Sequence, residues 1–452
     1  MIDFNNIHFI KDGEDALLFH VPSFTLVSLN NYTAKVLQSL KNGATVCNVA
    51  EKSFFSPEEI EDCLKKLENM FRKNLPHLKL DTTKKTVDRI TLHISNDCNL
   101  RCKYCYASGG SYKMKRSLMT TDTAKDFFDF CIHNFSHIEK IVFFGGEPCL
   151  NLDVMEYVCS LFNSYKLDEK LKDMPKFAII TNGTILNERL LKIIRTYISY
   201  ITVSIDGNKE FNDYNRLDKT GNGSFDRIAR FIDTVKQFDT VTIQYESTFT
   251  KYHIRKGISR DEIASYMSKR FGIRGFVIDE MSVKEYDENF STDNLENLPE
   301  SFTSILWAIS FKKPLVSCQM SSKQFAVSTL GEIFPCHMDV GKECLNLGNI
   351  RGKNIFKSCT IQKTFPLFRL LANKRLLCPN CWARNLCEGC PRELFYDEKN
   401  KCYLTTPNED KCKSQREHIE KILLSISHLR KDKKKWHDYV QGINKMRKVK
   451  KC

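Results

Sequence analysis

Three cysteines fall within the run Cys98-Asn99-Leu100-Arg101-Cys102-Lys103-Tyr104-Cys105, and they constrain this chain more than any other feature. The spacing is C-x3-C-x2-C, with an aromatic residue before the last thiol. It offers three thiolates where a closed structural metal site takes four. A four-iron cluster held by three cysteines keeps one iron open to something other than protein, which is the pattern of a reactive site. Zinc fits less well, because it takes a fourth ligand and C-x2-C pairs set further apart.

The chain has 452 residues, enough for several domains and a large core. No run of about 18 apolar residues suggests a membrane span. Met1-Ile2-Asp3-Phe4-Asn5-Asn6 lacks the basic, then apolar, start of a secretory signal. The expectation is a cytoplasmic protein. Nineteen cysteines in such a chain argue for metal or cluster ligation in a reducing compartment rather than a disulfide framework. They are clustered: none lies between Cys159 and Cys318, and eight lie between Cys318 and Cys412. Cys131 and Cys159 sit in apolar helical patterns and read as core. The formal net charge is +14, and part of the excess lies in the tail from Leu429 to Cys452. That tail reads as a solvated, partly frayed basic helix. Without interleaved aromatics of an RNA-binding kind, it does not argue for nucleic acid.

Residues 1–80 read as one small domain. Ala16–Val21 and Phe24–Val27 are strand-like, with a break at Pro22-Ser23. A helix carries Ala34, Val36, Leu37 and Leu40 on one face and stops at Gly43. A shorter one spans Val46–Lys52. A third starts at Ser56-Pro57-Glu58-Glu59, where Ser56 and Glu59 form a capping box. After a linker over residues 81–87, strands alternate with helices. The strands are Arg89–Ile94, Lys140–Phe144, Phe177–Thr181, Ile201–Ile205, Thr240–Tyr245 and Gly275–Ile278; Thr121–His133 and Leu186–Ile198 are among the helices. This order predicts an α/β fold with a parallel sheet, its chemistry at the C-terminal strand ends. Cys98 falls just past the first strand. Gly145-Gly146-Glu147-Pro148 follows the second, Thr181-Asn182-Gly183-Thr184 ends the third and Ser204-Ile205-Asp206-Gly207 the fourth.

The cysteine triplet with Tyr104, followed by Gly145-Gly146-Glu147-Pro148, resembles the radical S-adenosylmethionine (SAM) enzymes. The resemblance implies a partial (β/α)6 barrel over residues 88–305. It implies a [4Fe-4S] cluster on Cys98, Cys102 and Cys105 whose open iron chelates SAM, and a 5′-deoxyadenosyl radical that takes a hydrogen atom from substrate. It assigns SAM contacts to Tyr104, Gly145, Gly146, Glu147, Pro148, Thr181, Asn182, Ser204, Asp206 and Arg216. Residues 310–425 resemble the SPASM extension, which carries two auxiliary four-iron clusters. By that resemblance Cys318, Cys336 and Cys390 ligate the first, with Cys344 as a further candidate. Cys378, Cys381, Cys387 and Cys412 close the second, with Cys402 as a rival to Cys412. The central run departs from the family pattern by one residue, which bears on Cys390. Residues 1–80 resemble the winged-helix-like precursor-recognition domains of peptide maturases, where a leader peptide adds beside a small sheet. Residues 426–452 form the basic helical tail.

The function these resemblances imply is maturation of a ribosomally made, cysteine-rich peptide by a thioether cross-link. The partners would be a precursor peptide and a reductant such as flavodoxin or ferredoxin. Carbon–carbon cross-linking or epimerisation of a peptide, formylglycine formation as in anaerobic sulfatase maturation, and a zinc protein that binds nucleic acid are the alternatives. No side chain stands out as a general base.

Overall fold

The computed structural model describes residues 2–73, 86–165, 173–280, 298, 300–315, 324–352, 378, 380–397, 399–400, 402–404 and 406–449. Cys318 and Cys359 lie outside the described residues. The chain divides into two compact units. One gathers Met1–Leu80, Tyr286–Cys318 and Leu370–Cys452; the other gathers Asp81–Glu285 and Gln319–Arg369.

The first unit opens with an antiparallel meander of β1 (Ile7–Asp12), β2 (Asp15–His20) and β3 (Thr25–Leu29). The two expected strands are β2 and β3, and β1 is a third that the sequence pattern does not announce. β2 is buried on both faces. Its Leu17 and Phe19 enter one core, Ala16 and Leu18 another. Alternate residues of a strand face opposite sides, so a continuous apolar run is what a doubly covered strand requires. The helices α1 (Asn31–Lys41), α2 (Val46–Ala50) and α3 (Pro57–Lys73) cover the Ala16 and Leu18 side. Ala34, Val36, Leu37 and Leu40 form the buried stripe of α1. The capping box of α3 is present: Glu59 N donates to Ser56 Oγ at 3.2 Å, and Ser56 N donates to Glu59 Oε2 at 2.8 Å.

The second unit follows the expected alternation. Its elements are β4 (Thr86–Val87), β5 (Arg89–Ser95), α4 (Thr121–Asn134), β6 (His137–Ile138), β7 (Lys140–Gly145), α5 (Leu152–Tyr165), β8 (Lys176–Thr181), α6 (Glu188–Tyr197), β9 (Ile198–Ser204), α7 (Lys209–Asn215), α8 (Phe225–Val235), β10 (Thr242–Phe249), α9 (Lys251–Arg255), α10 (Arg260–Phe271) and β11 (Arg274–Asp279). Six strands pair in parallel in the order β11-β10-β9-β8-β7-β5. Thr86 and Val87, expected at the end of a linker, pair with β6 instead. On β5, Ile90, Leu92 and Ile94 are fully buried, while Thr91, His93 and Ser95 occupy the other face. Cys131 on α4 and Cys159 on α5 are fully buried, as core thiols should be.

α11 (Glu300–Phe311) returns the chain to the first unit. The segment expected to open the C-terminal extension then supplies β12 (Gln324–Val327), which lies parallel to the free side of β5. β13 (Glu332–Phe334) and β14 (Gly348–Asn349) continue antiparallel and bring the sheet to nine strands. The remaining elements complete the first unit: α12 (Pro391–Phe395), the pair β15 (Tyr396–Asp397) and β16 (Cys402–Tyr403), α13 (Glu409–Leu429) and α14 (Lys433–Val449).

One core joins the ends of the chain. Ile10, Phe19 and Phe24 pack with Phe302 and Ile305 of α11, Ile422 and Leu423 of α13, and Tyr439 and Ile443 of α14. This corrects the picture of a frayed basic tail. Trp436, Tyr439 and Ile443 recur at helical spacing and dock α14, while the lysines occupy its other faces. Among the described residues no helix is long and apolar enough to cross a membrane.

Candidate active site

The cysteine loop leaves the end of β5, where backbones approach at van der Waals limits. Gly146 N donates to Ser95 O and Glu147 N to Asp97 O, both at 2.8 Å. A Cβ on Gly146 would stand 2.2 Å from Asp97 O, and one on Gly110 would stand 2.6 Å from the Gly146 Cα. Only glycine permits this contact, which pins the Cys98 segment to the Gly145-Gly146-Glu147-Pro148 turn. Asp97 Oδ1 accepts from Cys98 N at 2.7 Å. Cys98 Sγ in turn accepts from Leu100 N at 3.4 Å and from Asn182 Nδ2 at 3.7 Å. Burial pushes the Cys98 thiol up to about 12, with Glu147 and Cys102 adding to the rise. Cys102 is also raised by burial, against the pull of Arg216. Buried thiols of this kind ionise only with a cation beside them, which is what a metal ligand requires.

Glu147 is fully buried and accepts three hydrogen bonds: Thr181 Oγ1 at 2.7 Å, Asn182 N at 2.7 Å and Cys149 N at 3.0 Å. Burial raises its carboxyl, and these donors oppose the rise. The effect is to tie the end of β8 to the turn after β7, with Pro148 buried behind it. Asn182 reaches across to the cysteine loop, donating to Asn99 Oδ1 at 2.8 Å. Thr184 Oγ1 donates to Asn182 Oδ1 at 2.6 Å and accepts from Asn99 Nδ2 at 2.8 Å. Thr181 and Asn182 thus have protein partners on this side of the site.

Tyr104, Asp206 and Arg216 form a second buried group. Tyr104 Oη donates to Asp206 Oδ2 at 2.8 Å, and Arg216 Nη1 donates to Tyr104 Oη. Arg216 Nη1 lies 3.8 Å from Asp206 Oδ1, with side-chain exposures of 7% and 0%. Thr248 N adds a donor to Asp206 at 3.1 Å. Burial alone would neutralise the Asp206 carboxylate; the guanidinium and the amide oppose it. Arg216 Nε is buried and has no hydrogen-bond partner. Ser204, the last residue of β9, is half-buried beside this group.

The inner face of the sheet holds residues that motif reading overlooks. Gln244 Nε2 donates to Thr202 Oγ1 at 2.9 Å, which sets Glu246 and Ser204 on that same face two residues further along. Burial raises the Glu246 carboxyl, with Arg216 and Arg89 opposing. His93 is fully buried with neither ring nitrogen hydrogen-bonded, and burial lowers it well below the ordinary histidine value. Its ring meets Tyr112 at 4.9 Å and Phe144 at 5.3 Å; Tyr112 meets Tyr106 at 5.9 Å. The available signal was a polar residue at every second position of the strand, Thr91-His93-Ser95 between Ile90, Leu92 and Ile94, and Gln244-Glu246-Thr248 in a strand that also carries Ser247.

The first unit holds the other thiol group. Cys378, Cys381, Cys387 and Cys412 line one small pocket together with Ala383, Leu394, Arg384 and Arg416. Burial raises Cys381, and pushes Cys412 up to about 11; Arg416 counters both. Cys412, at the start of α13, is therefore among the pocket cysteines; nothing is described of the Cys402 side chain. His8 of β1 stacks on Trp382, next to Cys381, at 3.9 Å and 3°, and Arg384 donates to Asn6 Oδ1 at 2.8 Å. Cys390 precedes α12 in this unit. Cys336 belongs to the other unit, its Sγ 3.7 Å from His337 Nδ1. Cys344 is exposed. No disulfide joins any of the described cysteines.

Among the described residues, no three His, Cys, Asp or Glu side chains converge on a point fit for a single metal ion. A four-iron cluster takes each thiolate on a different iron, so its fit is judged by surroundings. Three half-buried thiols share one loop, and the unsatisfied, buried guanidinium nitrogen of Arg216 lies close to Cys102. That donor set suits a cluster with an anionic ligand, such as the carboxylate of SAM.

Comparison with known proteins agrees. The radical SAM superfamily model matches residues 92–267. The radical SAM cyclopropyl synthase TigE of Paramaledivibacter caminithermalis is 22% identical over 372 residues, covering 72% of this chain and 76% of that protein. A cysteine-type anaerobic sulfatase-maturating enzyme of Clostridium novyi is 24% identical over 386 residues, covering 77% and 98%. A solved structure described as native anSMEcpe with bound AdoMet (SAM) and Kp18Cys peptide shares the fold. Its TM-score is 0.57 at 22% identity, covering 75% of this chain and 99% of that one. Residues 92–267 thus form a radical SAM domain, and the chain is an enzyme that carries it.

Proposed function

We propose that this enzyme matures a ribosomally made, cysteine-rich peptide by forming a thioether cross-link. The observation that carries this reading is the meander at the front of the chain. Among the described residues β1 and β3 each pair only with β2, so each has an outer edge on which an extended leader peptide could add. Residues 1–80 read as the precursor-recognition domain, of winged-helix-like type. The six parallel strands read as the partial (β/α)6 barrel, and the two cysteine-rich stretches as a SPASM extension. The solved structure cited above bears a peptide by its description, which supports a peptide substrate here.

The Cys98, Cys102 and Cys105 thiols would hold the [4Fe-4S] cluster that binds SAM. Together that cluster and SAM supply hydrogen-atom abstraction from an unactivated C–H bond. The protein's own contribution is positional. Gly145 and Gly146 let the turn after β7 pack against the backbone of the cysteine loop. Glu147 holds the ends of β7 and β8 together through three donors. Arg216, kept charged beside Asp206, offers its Nε to a carboxylate. Cys378, Cys381, Cys387 and Cys412 would hold an auxiliary cluster, with Arg416 offsetting thiolate charge. Cys318, Cys336 and Cys390 remain the ligands that the resemblance to the SPASM extension implies for the other auxiliary cluster.

Formylglycine formation is the second reading, favoured by the likeness to the Clostridium novyi enzyme over nearly its whole length. Deleting residues 1–80 is a poor way to separate the two readings. Ile10, Phe19 and Phe24 share a core with α11, α13 and α14, so the deletion would strip that core. Removing the leader from the peptide tests the same point cleanly. Anaerobic incubation with a cysteine-rich peptide encoded nearby, SAM and reductant should yield a product lighter by two hydrogens and lacking an alkylatable thiol. The leaderless peptide should react at least about tenfold more slowly. A product with an aldehyde that a hydrazide traps would favour formylglycine formation instead.

A further inference from the structure

The outer side of the cysteine loop carries cations whose charge the surrounding protein does not neutralise. Arg101 N donates to Leu217 O at 2.6 Å and Lys103 N to Asn215 O at 3.0 Å, so the loop pairs with the segment after α7. Lys103 is exposed, and its Nζ stands 3.3 Å from the centroid of the Tyr214 ring. Tyr214 stacks on Tyr252 at 3.6 Å, and the exposed Arg255 reaches the Tyr214 hydroxyl at 3.4 Å. Arg101 Nη1 donates to the carbonyls of Cys98 and Leu100 at 2.7 and 2.6 Å. Rings and carbonyls therefore hold these three cations in place where carboxylates would cancel them. Arg116 and Lys219 share a single carboxylate, Asp97.

We infer that this rim, formed by Arg101, Lys103, Arg116, Lys219 and Arg255, is the docking surface for a small acidic electron-carrier protein. The inference rests on the reading of Cys98, Cys102 and Cys105 as cluster ligands. Lys103 lies between two of those cysteines, so a partner seated on the rim is brought to the thiols by the shortest protein path. Among the described residues only Asp97 pairs with these five cations, and the neighbouring Glu210 and Asp218 are paired with Lys256 and Arg227, so the rim keeps the positive field that steers and orients an acidic partner. One electron leaves the reduced carrier and enters the cluster, and no bond is made or broken. Tyr214 and Tyr252 keep Lys103 and Arg255 extended, which lowers the entropy lost on docking.

The test compares two reductants on the reconstituted full chain. Reduction of the cluster is followed by EPR and stopped-flow absorbance, with reduced flavodoxin or with dithionite. In the wild type, flavodoxin binding and reduction should weaken steeply as salt rises. In K103E/R255E, half-saturation by flavodoxin should rise by about tenfold or more at low salt. Dithionite reduction should be unchanged, and the neutral pair K103M/R255Q should fall between. Flavodoxin reduction that ignores salt, or that is equal in all three proteins, would overturn the docking surface. Rim-dependent binding of RNA with no change toward flavodoxin would do the same. A chain with no signal reducible by either agent would overturn the cluster reading itself and this inference with it.

Discussion

The two thiol groups of this chain differ in the way that open and closed metal sites differ. The loop at Cys98, Cys102 and Cys105 provides three thiols and a buried cation with a spare donor at Arg216, and it is pinned by close backbone contact to Gly145 and Gly146. The pocket of Cys378, Cys381, Cys387 and Cys412 provides four thiols with apolar walls from Ala383 and Leu394. On the proposed reading the first would leave a position for a ligand, and the second would complete its own set. That reading places chemistry at the loop and electron handling or structural support at the pocket. It also separates their failure modes: losing the loop should end turnover, whereas losing the pocket should spare SAM cleavage.

The largest expected effect tests that separation. Replacing Cys98, Cys102 and Cys105 together by alanine should reduce SAM cleavage to background. Cys387→Ala should retain SAM cleavage, measured as 5′-deoxyadenosine, yet yield little modified peptide. Equal loss of cleavage in both would break the comparison. Next comes the buried cation of the loop. Arg216→Ala leaves Asp206 and Tyr104 buried without their partner, which should cost about 3–5 kcal/mol in denaturant unfolding and weaken SAM binding at least tenfold. Arg216→Lys should recover part of the stability and less of the binding, since an ammonium lacks the second donor direction.

The first unit sharpens the comparison through pH. His20 is stacked on Phe71 at 3.9 Å, its Nδ1 is 2.7 Å from Ser23 Oγ, and burial lowers it to about 4. The unfolded chain protonates this histidine near its ordinary value, so the folded state binds fewer protons between there and about pH 4. Stability should therefore fall as pH drops through that window, by up to about 3 kcal/mol from this group. His20→Phe should flatten that part of the pH profile of unfolding. The smallest effect is local: Ser56→Ala removes one arm of the α3 capping box and should cost about 1 kcal/mol in the same assay.

What the sequence made legible was whatever depends on near neighbours. The Ser56–Glu59 box, the buried stripe of α1 and the six parallel strands come from spacing alone. The cysteine loop and the Gly145–Pro148 turn were readable because their chemistry needs fixed local order. What stayed hidden depends on contacts between distant residues. β1 escaped notice because Ile7-His8-Phe9-Ile10 lacks clean alternation: His8 is spent on Trp382 and on Glu420, at 2.6 Å, hundreds of positions away. Gly110 is required by its positive φ and by Cys98 and Gly146, which lie against it in space. In the tail, the lysines masked the spacing of Trp436, Tyr439 and Ile443, which pays off only when a distant core is there to receive it.

Iron and sulfide per chain after strictly anaerobic reconstitution test the central claim most directly. The wild type should hold about twelve irons. The Cys98, Cys102 and Cys105 triple alanine variant should lose about four, and a Cys381, Cys387 and Cys412 triple alanine variant should lose a different four. The EPR signal that shifts on adding SAM should vanish only in the first. A wild type that binds zinc in place of iron, or a SAM-dependent signal that survives loss of the loop cysteines, would contradict the account.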